Sequence, residues 1–357
     1  MDTKDYTSVS VIIPYVNEWP MIAFTIRAIV EELEGFCDYE IIAVSNYCRE
    51  VAGQGRLPDR SHHHYIRKAD KKNLGFYDVE VSDKVAFNQS HIEAISKQHP
   101  RLMYLSYEEK LSNWNCKNLA VKKSKGDVLL FVDSHVMPSK GLLRGALTCF
   151  EDMRRTGVMD NDTLHFPLSY NILEQKQLLY RLVYEPEKGN VHYSFLSTFP
   201  KLTELMEVPC MSSCGIMMRR SYYDKIGGWP SRLGIYGGGE NYMNFVSAIV
   251  GGRKFIYPNG TLHHHGDKRG YHFNWEDYHR NRMTAIHLFA DMNWVDLYQK
   301  SIGGNAVTKR LAHEAVKGSL EHKKLIDSIK VMEIEEWADK WKGIRMIGHK
   351  SGKVVNG

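Results

Sequence analysis

Four short apolar runs in the first third of the chain, Val9–Pro14, Glu40–Val44, Arg101–Tyr107 and Asp127–Val132, alternate with segments of helical period. After the first run, Ile22, Ile26, Ile29, Val30 and Leu33 recur at helix-face spacing within Trp19–Leu33, with Pro20 near the first turn. Ser82–Gln98 and Asn115–Lys125 read as further helices, and Arg49–Asp70 as a long polar loop. A helix between two strands carries the chain back to the edge where it started, so the strands pair in parallel. The pattern predicts an α/β chain with a mostly parallel central sheet flanked by helices. Ligands of such sheets collect outside the carboxyl ends of the strands. The residues after Pro14, Val44, Tyr104 and Val132 are therefore the ones to inspect.

The middle, Phe150–Pro209, is aromatic-rich and less regular. Order returns from Val208 to Gly266. Ser212–Arg219 reads as a strand, Ser221–Ile226 as a helical turn and Gly227-Gly228-Trp229 as a tight turn. A helix from Glu240 gathers Tyr242, Phe245, Val246, Ile249 and Val250 on one face, and Gly251-Gly252 ends it. Lys254–Tyr257 starts another strand, and the last fifty or so residues read as polar helix.

With 43% hydrophobic and 25% charged residues in 357, the composition is that of a soluble globular protein and excludes disorder, collagen and a coiled coil. Lys+Arg 47 against Asp+Glu 42 leaves a net charge of +5, which permits an anionic ligand without demanding nucleic acid. Met1–Ser10 is polar, and the apolar run Val128–Val132 is far shorter than the roughly 20 residues that span a bilayer. The expectation is a cytoplasmic chain with no membrane partner. The six cysteines, Cys210 and Cys214 included, form no CxxC pair and read as free thiols.

The sharpest local feature is Asp133-Ser134-His135, directly after the apolar strand. A carboxylate and an imidazole two apart at a strand end can face the same side, and together they suit a divalent metal such as Mn2+ or Mg2+. The plainer reading is an Asp cap with an incidental His.

Four blocks in order carry a resemblance: Val9–Glu18 (VSVIIPYVNE), Asn115–His135 (NCKNLAVKKSKGDVLLFVDSH), Cys214–Asn241 (CGIMMRRSYYDKIGGWPSRLGIYGGGEN) and His263-His264-His265. The chain resembles a GT-A fold, family 2-like nucleotide-sugar glycosyltransferase. Within that group it is most similar to the polypeptide N-acetylgalactosaminyltransferase branch, over roughly residues 8 to 290. The resemblance implies a GT-A catalytic domain over 1–300, with 301–357 as a helical C-terminal extension.

It also implies a metal held by Asp133, His135 and one of His263, His264 and His265. Comparison with the family places His264 at the ligand position, and strand alternation sets His263 and His265 on the other face. The ion would neutralise the charge left on the β-phosphate of a departing nucleotide. Pro14, Tyr15, Asn17 and Glu18 are implied to line the nucleotide pocket, and Asp133 and Ser134 to touch the donor. Where the family carries an Asp pair after the second strand, this chain has Val44-Ser45-Asn46. Ser45 and Asn46 can still hydrogen-bond a base edge, with uridine the first choice. Lys117 matches a basic position near the diphosphate, its plain reading being a surface lysine. Asn118 contacts the nucleotide or orients a loop.

Gly237-Gly238-Gly239 lets backbone approach a ligand closely, and Trp229 packs under or beside that loop. Glu240 and Asn241 follow as the catalytic pair. Asn241 stands where inverting relatives place a general base, and an amide cannot take a proton. This tilts the expectation to a retaining reaction in which Glu240 positions the donor sugar, against the plainer reading of a helix N-terminal carboxylate. Asp267, Lys268, Arg269 and Tyr271 read as a lid, Arg280 and Arg282 as phosphate contacts or helix decoration, and His62-His63-His64 as solvated loop. The acceptor is expected to be a hydroxyl of a protein, a glycan or a modified DNA base. The change at Val44-Ser45-Asn46 motivates an alternative, a nucleotide-sugar or glycan-binding protein on a degenerate scaffold.

Overall fold

The computed structural model describes residues 8–16, 18, 20–48, 91–156, 160–170, 177–199, 202–265, 275–341, 345–347 and 354–356. Strand β1 (Val9–Tyr15) is buried along its whole length. It lies in parallel between β2 (Tyr39–Ser45) and β4 (Val128–Phe131), and β3 (Leu102–Ser106) pairs in parallel outside β2. Strands β1, β2 and β4 read as continuous apolar runs because they are buried on both faces of the sheet. Flanking them are α1 (Met21–Leu33) and α2 (Asn113–Lys123), the latter capped by Ser112, which accepts from Asn115 N at 3.2 Å.

Beyond β4 the sheet changes direction. Strand β11 (Ile216–Arg219) runs antiparallel between β4 and β6 (Thr163–His165). Then β12 (Lys254–Ile256) and β10 (Met206–Glu207) complete the order β10-β12-β6-β11-β4-β1-β2-β3. A second sheet has the order β5-β13-β7-β8-β9, with β5 (Val136–Pro138), β13 (Leu262–His264), β7 (Leu168–Ser169), β8 (Gln177–Glu185) and β9 (Asn190–Phe199). The β8–β9 hairpin lies in the segment expected to be irregular. Its two faces both carry aromatic and polar side chains, such as Tyr180 and Arg181, so the period-two contrast that marks a half-buried strand is blurred.

Helix α3 (Leu142–Arg155) follows β5, and the short α4 (Arg220–Lys225) follows β11. The C-terminal half adds α5 (Gly239–Ile249), α6 (Trp275–Phe289), α7 (Met292–Ser301), α8 (Ala306–Ile329) and α9 (Ile334–Asp339). Helix α8 packs on α5 and α6: His322 Nε2 meets Tyr242 Oη at 2.7 Å, and His287 Nδ1 meets Ser319 Oγ at 2.8 Å. The helical reading of the tail holds only to Asp339, because Arg345–Ile347 pairs antiparallel with Val354–Asn356. Among the described residues, no helix is long and apolar enough to cross a membrane.

Candidate active site

Asp133 lies two residues past the end of β4, at the carboxyl end of the parallel strands. The turn after it is held by Thr25 of α1, a fully buried hydroxyl. Thr25 Oγ1 accepts from Val136 N at 3.0 Å and lies 3.0 Å from Ser134 O and 2.8 Å from Val136 O. Strand β5 then pairs with β13, setting His264 opposite Val136, and His265 N donates to His135 O at 2.9 Å. This register brings His264 Nε2 to 3.2 Å from Asp133 Oδ2. The His135 and His264 rings meet edge to face, 4.6 Å between centroids. One ligand atom from each of Asp133, His135 and His264 lies within 4.8 Å of the others. Strand alternation turns His263 away, its Nδ1 buried without a hydrogen-bond partner, and His265 is exposed.

This donor set fits a divalent ion. Two imidazoles and a carboxylate suit Mn2+, and a nitrogen and an oxygen 3.2 Å apart can share an ion at bond lengths of about 2.1 Å. The carboxylate is ready in its charged form. Burial pushes the Asp133 pKa up, but the hydrogen bond with His264 and the charges of His264, Lys117 and His135 outweigh it and hold the carboxyl below the usual range.

The second corner is the first turn of α5. Glu240 Oε1 accepts from Ser213 N at 2.9 Å and from Ser212 Oγ and Ser213 Oγ, each at 3.2 Å. Its Oε2 accepts from the Tyr193 hydroxyl of β9. Asn244, one turn on, exchanges two bonds with Met211: Met211 N donates at 2.9 Å and Asn244 Nδ2 returns a bond to Met211 O at 2.7 Å. Residues 211–213, in the segment that leads into β11, are thus bolted to α5. Asn241 is buried, and its Nδ2 has no hydrogen-bond partner.

The glycines before Glu240 have a different cause from the one expected. A Cβ on Gly238 would fall 2.2 Å from Asn281 O, and one on Gly239 would fall 2.1 Å from the Trp114 ring. Close packing on α6 and Trp114, rather than on a ligand, requires them. Trp229 lies beneath this loop as anticipated, donating from Nε1 to Gly239 O at 3.1 Å.

Pro14 and Tyr15 end β1, buried opposite Val44 and Ser45. Glu18 accepts from Val16 N at 2.7 Å and so shapes the turn after β1. Ser45 is fully buried, and Ser134 is buried with its Oγ 3.5 Å from His135 Nδ1. Asn46, expected at a base edge, instead donates to Tyr107 O and Lys110 O at 3.1 and 2.9 Å and accepts from Ser112 N at 2.7 Å. Asn118 orients a loop: it donates to Trp229 O at 2.8 Å and accepts from Trp229 N at 3.1 Å and from the Tyr223 hydroxyl. Both amides are occupied by protein.

Lys117 is neither a surface lysine nor an open phosphate contact. It is fully buried, its Nζ has no hydrogen-bond partner, and it lies 4.8 Å from the Trp114 ring centre and 5.3 Å from that of Trp229. Burial lowers its pKa, against the pull of Asp133 and Glu240. Arg280 pairs with Asp277 on its own helix, and Arg282 donates to Asn190. Asn17, the residues Asp267, Lys268, Arg269 and Tyr271, and His62-His63-His64 lie outside the described residues.

Three contributors escaped the sequence reading: Thr25, Tyr193 and Ser213. Thr25 left one signal, as a polar residue amid the apolar face of Ile22, Ile26 and Ile29.

No family model and no curated protein matches the chain. Solved structures do. GalNAc-T7 with UDP, GalNAc and Mn2+ matches with a TM-score of 0.67 at 14% identity, covering 94% of this chain and 57% of that one. The chain therefore spans little more than half the length of GalNAc-T7. The mannosyltransferase PcManGT from Pyrobaculum calidifontis, in complex with GDP-Man and Mn2+, matches at 0.44 and 13% identity, over 95% and 80% of the two chains. S. aureus TarS 1-349 in complex with UDP-GlcNAc matches at 0.46 and 11% identity, over 98% and 96%. The likeness to GalNAc-T7 establishes the architecture as the GT-A fold of glycosyltransferases.

Proposed function

We propose that this protein is a metal-dependent glycosyltransferase moving a sugar from a nucleotide sugar, a UDP-sugar first, to a hydroxyl acceptor, with kinship to the polypeptide N-acetylgalactosaminyltransferase branch. One observation carries the reading: Asp133, His135 and His264 converge beyond the carboxyl end of β4 in a GT-A fold. These three residues would hold Mn2+ or Mg2+. When bound, such an ion neutralises the charge of the leaving diphosphate as a Lewis acid. That GalNAc-T7 was solved with UDP, GalNAc and Mn2+ supports both donor and ion.

The chain's own residues divide the remaining work. Pro14, Tyr15, Asn17, Glu18 and Ser45 line the nucleotide side, while Asn46 and Asn118 keep its walls in place. His264, and after it Lys117, hold the Asp133 carboxyl below its usual range. Ser134, Gly238 and Gly239 shape the floor beneath the donor sugar. Glu240 already accepts four hydrogen bonds, from Tyr193, Ser212 and Ser213. It orients groups rather than removing a proton, and Asn241 beside it offers a free amide donor. This division fits retention of the anomeric configuration. We assign residues 1–300 to the catalytic unit and 301–357 to an extension. The six free thiols fit a reducing cytoplasm. The acceptor is a hydroxyl of a protein, a glycan or a modified DNA base.

Mn2+-dependent release of UDP from a panel of UDP-sugars tests the reading. Turnover that survives Asp133→Ala with His135→Ala would remove the proposed site. An inverted product anomer by NMR would reject retention alone. A second reading, donor binding without turnover, is favoured by one observation: Asn46, at the place of the expected carboxylate grip, is engaged by Tyr107, Lys110 and Ser112. Calorimetric donor binding with no UDP release across many acceptors would select it.

A further inference from the structure

One face of the β8–β9 hairpin collects positive charge that the site above leaves unused. In the ladder Arg181 pairs with Ser194, Val183 with His192 and Glu185 with Asn190, so these side chains share a face. Arg282 of α6 reaches the same place. It is 8% exposed, donates to Asn190 Oδ1 at 2.6 Å and lies 5.5 Å from the centre of the Tyr298 ring. Among the described residues, neither Arg181 nor Arg282 pairs with a carboxylate. Arg181 Nε is buried and has no hydrogen-bond partner at all. The nearby acid, Glu185, is engaged by Lys188 Nζ and Asn190 Nδ2, each at 2.6 Å. His192 registers the result: burial, then Arg282 and Arg181, outweigh Glu185 and push its pKa down to about 4.

A buried guanidinium nitrogen without an acceptor is costly, and two guanidiniums that meet no carboxylate among the described residues, both acting on one imidazole, raise the local potential. A single oxyanion relieves both, since arginine forks match phosphate oxygens in geometry and charge. We propose that this face is a phosphate-binding subsite for a phosphate group carried by the acceptor. Tyr193 connects it to the transfer site, following His192 in β9 and donating its hydroxyl to Glu240 from the opposite face. Glu240 and the arginines thus lie on the two faces of a hairpin whose β9 is the edge of its sheet. The assignment to the acceptor rests on the glycosyltransferase reading; the existence of the subsite does not.

The test uses the full chain in EDTA, without donor or metal, so its failure is separate from failure of the transfer reaction. Inorganic phosphate and a small phosphodiester are titrated by calorimetry, while the His192 ring is followed by NMR. The expected result is one saturable site for both probes, not displaced by UDP and about tenfold weaker in Arg181→Gln. The His192 titration midpoint should rise when the probe binds, because an anion favours the imidazolium. Binding of inorganic phosphate but not the diester would overturn the assignment to a chain-borne group. Displacement by UDP, wild-type binding by Arg181→Gln, or a His192 signal blind to phosphate would each overturn the subsite. The last readout needs no variant and survives any folding defect.

Discussion

Asp133 and Glu240 are both carboxylates at the mouth of the same sheet, and their surroundings are opposite. Asp133 meets two imidazoles and feels a buried ammonium, with a side-chain hydrogen bond to His264. Glu240 accepts from a backbone amide, two serines and a tyrosine, tying the segment before β11, a helix and a hairpin together. The first environment keeps a charge available to something not made of protein. The second fixes a shape. The contrast teaches that an acidic residue's function is read from who donates to it, and that its position at a cleft does not settle the matter.

The contrast is most directly broken at Asp133. Asp133→Ala should abolish Mn2+ binding in calorimetry and lower Mn2+-dependent UDP release on the order of a thousandfold. Gly239→Ala should show that the Glu240 corner is a packed shape. Its new Cβ meets the Trp114 ring, and urea unfolding should report a loss of about 2–3 kcal/mol. The paired substitutions Glu240→Gln and Asp133→Asn sharpen the comparison. The first places an amide donor against existing donors and should lose about 1–3 kcal/mol in urea with Mn2+ affinity nearly unchanged. The second loses the stability that the depressed Asp133 pKa represents and should in addition weaken Mn2+ sharply. Equal Mn2+ affinities for the two would erase the distinction drawn here.

Smaller still is Thr25→Val. It removes the hydroxyl that ties α1 to the Ser134–Val136 turn and should cost about 1–2 kcal/mol, with a measurable drop in Mn2+ affinity. A separate effect is a pH dependence. Burial, aided by Lys254, pushes the His165 pKa from 6.5 down to about 3. Between those values the unfolded chain binds a proton that the native one does not. His165 therefore contributes stability that is full above pH 6.5 and declines as pH falls toward 3. The acid limb of a Tm-against-pH curve should be shallower in His165→Gln.

Much of the fold was open to reading from the chain alone, for a physical reason. Strands β1, β2 and β4 are buried on both faces, so they stand out as unbroken apolar runs, and the helices between them keep a clean 3.6-residue period. The β8–β9 hairpin was hidden because both its faces carry aromatic and charged residues. At the site, Asp133, His135 and His264 were found through a family resemblance together with strand alternation. Asn46 was misplaced, and Asn118 left between two roles, because an amide that pins a loop and one that reads a base have the same letter. Gly238 and Gly239 misled in the same way, since a glycine records that something comes close without saying what. Tyr193 and Ser213 left no trace, because their convergence on Glu240 exists only after three distant segments meet.

The register of β5 against β13 has a consequence in time. Asp133 and His264 stand 131 positions apart, so a ribosome working at about 5–20 residues per second exposes the first on the order of ten seconds before the second. For that interval the nascent chain offers a cation only a carboxylate and one imidazole, a weak and unselective pair. Selectivity for the ion is therefore a late acquisition of the growing chain, fixed when its second half folds back on the first.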